Sequence, residues 1–352
     1  MAEKLVAPAP PPPAFADIGK AANDLINRDF YHATSALLEV KLKAANGVAF
    51  TTKGTSPHSG PVSASIEGKK ALSNGNDSHL SSTLHVPVVR QNSFTFDFVW
   101  SSVPDRRQKT GRAYIRSTTY RMRHKLMQSK NAGITITESF NTASLLSTKV
   151  ELDNTITKGL KAEALTLLNP SKGGNAGQKV NLFFKQPNFH FRSFFDYTAA
   201  GNLSAIVDGV AGYEGFLVGG EVGYDVQKAA VSRYSAALGY NQGNFSAAVQ
   251  ATQNLSVFAA TYYQKVNPSV EAGVKAVYDT KAASTVGIEL ASKYKLDPLS
   301  FAKAKINDRG IAALSYNTKV NPGFTFGVGA SVDTQKLNES THKVGASFTF
   351  EG

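Results

Sequence analysis

The chain has 352 residues and a formal charge of +12 at pH 7, with a pI near 9.6. Such a balance points to an anionic partner: nucleic acid, a membrane surface, or small phosphorylated molecules. It contains no cysteine, which excludes disulfides, thiolate metal sites and a cysteine nucleophile, and no apolar run of about 18 residues, so no transmembrane helix is available.

Residues 1–14 form a Pro-rich extension. MAEKLVAPAPPPPAF lacks both the apolar core of a secretory signal and the Arg-rich pattern of a transit peptide, so any address is expected to be internal. APAPPPP at 7–13 reads as an exposed polyproline spacer. Residues 15–35 hold one amphipathic helix, roughly Asp17 to Asp29. In it Ile18, Ala21, Ala22, Leu25 and Ile26 share a face opposite Lys20, Asn23, Asp24, Asn27 and Arg28.

From Leu38 the period becomes two. Leu38, Val40 and Leu42 oppose Glu39, Lys41 and Lys43; Val150 and Leu152 oppose Lys149 and Glu151. Val270, Ala272, Val274, Ala276 and Tyr278 oppose Glu271, Gly273, Lys275 and Asp279. Ala302, Ala304 and Ile306 oppose Lys303, Lys305 and Asn307; Val344, Ala346, Phe348 and Phe350 oppose Lys343, Ser347, Thr349 and Glu351. Turn clusters such as NPSKGGNAG, YNQGN, KVNPS and KVNPG separate such segments. GITITESFNT at 133–142 alternates in the same way, yet Glu138 takes a slot on the apolar face beside Ile134, Ile136 and Phe140.

Residues 71–130 break the rhythm. They carry ten Lys or Arg against three Asp, which is +7 of the total and leaves +5 for the rest. The only Trp, Trp100, lies here, with the runs DRRQKTGR and YRMRHK. FTFDFVW reads as a strand. The remainder reads either as a patch for nucleic acid or anionic lipid or as a disordered insertion, even translated intron. Composition and the clean return of alternation on both sides favour the insertion.

About nineteen alternating segments remain, three in 36–70 and the others in 131–352, at roughly 13 to 14 residues each. That spacing matches a membrane strand of about 9 to 11 residues plus a short turn. Strands with one charged and one apolar face need either a second layer or lipid to cover the apolar face, and no second layer is encoded. Closing the sheet in a bilayer satisfies every backbone group. The expected fold is therefore an all-β transmembrane barrel. Nineteen strands about 4.8 Å apart and tilted about 40° give a backbone diameter near 40 Å, too wide to fill with side chains. The inward set of Lys41, Lys43, Lys149, Lys161, Lys185, Arg192, Arg233, Lys275, Lys303 and Lys305 outweighs Glu39, Glu151, Glu163, Asp196 and Glu271. A water-filled pore with that surplus prefers anions.

YKLDPLSFAKAKINDRGIAALSY at 294–316 resembles the signature of mitochondrial porins, the voltage-dependent anion channels of the outer mitochondrial membrane. Tyr294, Asp297, Pro298, Ser300, Ala304, Lys305, Ile306, Asn307, Asp308, Ala313, Leu314 and Tyr316 stand where the signature requires them. The likeness extends over 15–70 and 131–352, through ANDLINRDFYH, TKGLKAE, GYEGFLVGG, YYQKVN and THKVGASFTFEG, with wording closest to the fungal branch.

The resemblance implies 19 strands with the first and last parallel, and the helix inside the lumen, where it takes part in gating through Lys20, Asn23, Asp24 and Arg28. Asn23 stands where many relatives have Arg. Gly159, Leu160 and Lys161 match an element associated with nucleotide contact, and Lys41, Lys43, Lys275, Lys303 and Lys305 are expected to meet anions in the lumen. On its own residues Gly159 also reads as a turn before a strand. Lys343, Gly345, Phe348 and Phe350 resemble the sorting signal of outer-membrane barrels. Glu138 matches a lipid-facing Glu of many animal members, expected to thin the bilayer or to aid self-association and docking. Where relatives have a short turn after the third strand, about sixty residues intervene here.

The implied function is a pore for ATP, ADP, phosphate and organic anions, with lipid, further copies and docking proteins of the cytosol or intermembrane space as partners. No cofactor, metal or nucleic acid is implied. No GxSxG, HExxH or P-loop occurs, so no enzyme activity is expected. A protein-import pore of the same membrane shares the fold; the YKLDP signature favours the metabolite channel.

Overall fold

The computed structural model describes residues 10–72, 79–86, 97–101, 118–125, 133–172, 174–282, 286–339 and 341–352. Nineteen strands form one sheet, and the first strand, Ala36–Lys43, pairs with the last, Lys343–Glu351, to close it. That seam is parallel, with Ala36 opposite Ala346 and Lys41 opposite Glu351. The other described pairings within this sheet are antiparallel neighbours in sequence, joined by tight turns.

The closed sheet leaves no edge, which is what a span in lipid requires. Much of its outer face is apolar and open: Phe216, Leu238, Leu314 and Val344 are each 60–64% exposed, whereas Ile136, Glu138 and Phe140 on the strand Ile134–Asn141 are buried. Aromatic pairs join neighbouring strands, such as Phe324 with Phe350 at 4.8 Å and Phe216 with Tyr240 at 4.6 Å between ring centres. Shifts of register at Asn175/Gly177, Gly223/Tyr224, Lys295/Asp297 and Lys319/Asn321 interrupt the ladders locally.

The strand Ser63–Leu72 neighbours Ile134–Asn141 in the barrel. The intervening chain forms a compact unit of its own, Ala71–Ile134. In it the strands His79–Val86, Asp97–Ser101 and Thr118–Lys125 make an antiparallel sheet with His79–Val86 in the middle. Thus part of the segment read as disordered carries strands, including part of FTFDFVW; the rest of it lies outside the described residues.

The N-terminal helix is shorter than its apolar periodicity suggests. A 3-10 turn at Phe15–Asp17 is followed by Gly19 at φ 77° and then the helix Lys20–Asn27. A Cβ at Gly19 would fall 2.7 Å from Thr261 Oγ1, so the bend at this point needs glycine both for its dihedral and for its close approach to the wall. Asp29, at φ 61°, turns the chain again before a 3-10 turn at Tyr31–Ala33.

Candidate functional site: the lumen and its N-terminal segment

The charged face of the barrel and the apolar face of the N-terminal segment meet inside. Phe15 and Ile18 pack against Val210, Ala237 and Ala248, while Leu25 and Ile26 pack against Ala291, with Tyr263 beside them. Ile18 and Ile26 are fully buried. Small inward residues make this possible. A Cβ at Gly219 would stand 3.0 Å from Ile18 and Phe15, one at Gly239 3.0 Å from Ile18, and one at Gly273 3.0 Å from Leu25.

Polar contacts fix the register of the segment along the wall. Gln250 Nε2 donates to the Ile18 carbonyl at 2.6 Å, and Asn317 Nδ2 bonds to the Tyr31 hydroxyl. Upstream, the His190 ring Nδ1 lies 3.1 Å from the Pro12 carbonyl, and Pro12 packs over Gly212. Pro10 and Pro11 are exposed, as the spacer reading expects, but Pro12 is buried and Pro13 half-buried, which corrects it there: an extended proline lies flat in a groove that a side chain at Gly212 would fill. Downstream, Gly327, Gly329 and Gly345 form a notch for residues 31–34; a Cβ at Gly345 would collide with the carbonyl oxygens of Tyr31 and Thr34.

Charge is distributed unevenly around the lumen. From Leu146 to Asp225 most inward charges are paired: Lys149 with Glu151 at 3.1 Å and Lys161 with Glu163 at 2.7 Å, each along one strand, and Lys161 with Glu151 at 2.9 Å, Lys179 with Asp196 at 2.6 Å and Arg192 with Asp208 at 2.7 Å across strands, while Lys185 has no carboxylate within 4.0 Å among the described residues. The seam repeats the arrangement, Lys41 lying 2.9 Å from Glu351 and 3.5 Å from Glu39. By contrast Lys43, Lys275, Lys293, Lys305 and Lys319 have no carboxylate within 4.0 Å among the described residues.

On the linker, His32 sits below the ordinary imidazole pKa, chiefly because it is partly buried and then because Lys305, Lys343 and His58 are close. Burial raises the Tyr31 phenol above its usual value, and Asp29 adds to the effect, while the bond from Asn317 opposes it.

The sequence pattern of the eukaryotic porin family matches residues 11–112 and 91–345, two pieces that meet in the segment where alternation fails. A mitochondrial outer membrane protein porin of Neurospora crassa is 45% identical over 96% of this chain and 99% of its own length. One of Candida albicans is 38% identical over 96% and 99%. A non-selective voltage-gated ion channel 1 of Saccharomyces cerevisiae is 31% identical over 97% and 99%.

The chain belongs to the eukaryotic porin family.

In this porin the inward positions read from alternation lie on one face, but several differ from expectation in what they can do. Lys303 is 3% exposed and bonded to the N-terminal segment, so it is not free to meet a permeant anion. Leu160 takes the face opposite Lys161 by strand alternation and so points away from the lumen. Gly159 occupies a turn at φ 86°, where a Cβ would collide with the Lys185 carbonyl; backbone geometry alone accounts for it. Lys20 and Arg28 are paired within the segment, with Asp17 at 2.9 Å and Asp24 at 3.0 Å. Asn23 lies between them on the segment, half-buried.

Lys343 and Gly345 face inward and Phe348 and Phe350 outward, as the alternation predicts. Gly345 has a second duty in the notch. The hydroxyls of Ser139 and Ser147 are 2.7 Å apart, and Ser147 shares the inward face of Lys149 and Glu151. Glu138 therefore belongs to the outer face, where it is buried. Sequence reasoning missed His190, Gln250, Asn317 and the wall glycines. For Asn317 and the wall glycines a signal was available, a small or amide residue at an inward position; His190 and Gln250 show none in their own strands.

Proposed function

We propose that this porin is a voltage-gated, weakly anion-selective pore that passes ATP, ADP, phosphate and organic anions across the mitochondrial outer membrane. The observation that supports it most is the lumen itself: a closed 19-strand sheet whose inner face carries charge and whose surplus is a set of unpaired lysines. Pairing cancels much of the basic excess, so selectivity is weak; the unpaired set leaves its sign positive. Of the residues expected to contact nucleotide, Lys43, Lys275 and Lys305 have no carboxylate partner among the described residues, Lys305 lying over the Phe30 ring, and Lys161 acts inside a carboxylate ladder. The docked segment with Lys20, Asp24 and Arg28 narrows the lumen and serves as the moving part in gating.

Single-channel recording in a planar bilayer under a salt gradient tests this. The expected result is large steps that close at both polarities, with a reversal potential on the anion side. A cation-side potential in a conducting channel would overturn the selectivity, and conductance without voltage-dependent closure would overturn the gating. Glu138 thins the bilayer locally or aids self-association and docking in this reading; unchanged cross-linking in vesicles together with unchanged gating in Glu138→Gln would refute that role.

A further inference from the structure

One wall side chain holds the far end of the lumen helix. Lys303 stands on the inner face of the strand Ser300–Asn307, beside Lys305 and opposite Lys293. Its Nζ donates to the carbonyl of Arg28 at 2.7 Å and to that of Asp24 at 3.3 Å. The Asp29 carboxylate is 3.7 Å away, and the Phe30 ring centre 5.0 Å. The last carbonyls of a helix have no partner within it and carry its partial negative charge. The Lys303 ammonium supplies a donor to the Arg28 carbonyl at the C-cap and a second donor to the Asp24 carbonyl, which also accepts from the Arg28 backbone nitrogen at 3.0 Å, and the ring face of Phe30 adds a cation contact.

The site is specific to Lys303. Its neighbour Lys305 reaches the same ring at 4.8 Å, and Lys293 lies over Phe301 at 4.3 Å; among the described residues neither bonds to a helix carbonyl. A buried ammonium is tolerated only while its hydrogen bonds are made, so undocking the helix and rehydrating Lys303 must occur together. We propose that Lys303 is a positioning residue, a latch that holds the C-terminal end of the helix to the barrel wall and sets how often the helix leaves it. The inference uses the lumen setting of the proposed function but does not depend on conduction.

The absence of cysteine allows a clean test. Ala22, 1% exposed against the wall, is replaced by Cys in the full chain, reconstituted in phosphatidylcholine vesicles, and its reaction with a small charged methanethiosulfonate is timed. Lys303→Met, which keeps the length and removes the donors, should speed modification by about tenfold or more as local opening becomes frequent. Lys303→Arg retains charge and donors and should restore protection to within about threefold of the parent. Lys319→Met controls for loss of a lumen lysine as such and should change nothing. A Lys303→Met rate within about twofold of the parent refutes the latch. Should that variant fail to form barrels, Lys303→Gln is read in the same assay, and parental protection there refutes it equally. Thiol protection is measured without current, so a silent bilayer would count against the pore and leave this test intact.

Discussion

Glu151 accepts from two lysines at once, Lys149 at 3.1 Å and Lys161 at 2.9 Å, while Lys161 also reaches Glu163 at 2.7 Å. Glu151 is 6% exposed while its lysines keep about a third of their surface open, so these contacts bear on stability as well as on the field of the pore. Glu151→Gln should free one ammonium group and move the reversal potential further toward anions, with a stability loss of about 1–3 kcal/mol. A salt-gradient recording and a denaturation curve check the two halves; a shift toward cations would contradict the assignment. At Gly329 the expectation is steric. A Cβ there would lie 2.8 Å from the Tyr31 nitrogen, so Gly329→Val should cost about 1–3 kcal/mol of docking through overpacking. Faster proteolysis of the N-terminal segment, with the barrel core intact, is the sign to seek.

At the scale of elements, the linker Tyr31–Ala33 couples docking to pH through His32. The folded pKa of His32 lies below 6.5, so the docked state resists protonation. Between that lowered value and 6.5 the undocked segment binds the proton more readily, and docking is fully favoured only above 6.5. Protection of the segment should therefore fall as pH drops through that window, and the slope should flatten in His32→Gln. Lys303 and His32 also show where reading the sequence stops. Alternation assigns Lys303 to the inner face, which is correct, and so suggests a free cation. Nothing in a period of two reveals that a helix from the other end of the chain will cover it, because the contact joins residues 275 apart or more. The helix itself was legible from its apolar stripe, whereas its break at Gly19 follows from the wall pressing on it. Pro12 was unreadable for the same reason: its groove is built by His190 and Gly212, far away in sequence. Alternation yields a count of about nineteen, while the firm odd number with its parallel closure came from the resemblance of 294–316 to porins.

For the whole molecule, the prediction concerns what the barrel can do without. Ser63–Leu72 and Ile134–Asn141 are neighbours in the closed sheet, and Thr142 bonds back to Ala64 at 2.9 Å. The described residues between them contribute no barrel strand. Replacing 73–132 by a short turn should leave strand pairing intact, since loop length alters closure entropy only slowly. The shortened chain should insert and conduct with the parental step size in a planar bilayer. Loss of channels would show that the segment is needed to build the barrel.

The parallel seam fixes sidedness. Every turn in an antiparallel meander reverses direction, so adding or removing a hairpin keeps the first and last strands parallel, whereas adding or removing one strand reverses the relation. Ala36 opposite Ala346 and Lys41 opposite Glu351 mean that the barrel is entered at one rim and left at the other. An agent confined to one side of the membrane thus meets the linker that carries His32, and one confined to the other side meets Gly352. The linker and Gly352 become two separate addresses, while Pro12, held by His190 and Gly212, lies at the rim of Gly352; labels in the turn after Ser56 and at Gly352 would report the orientation of the inserted molecule without any probe of the current.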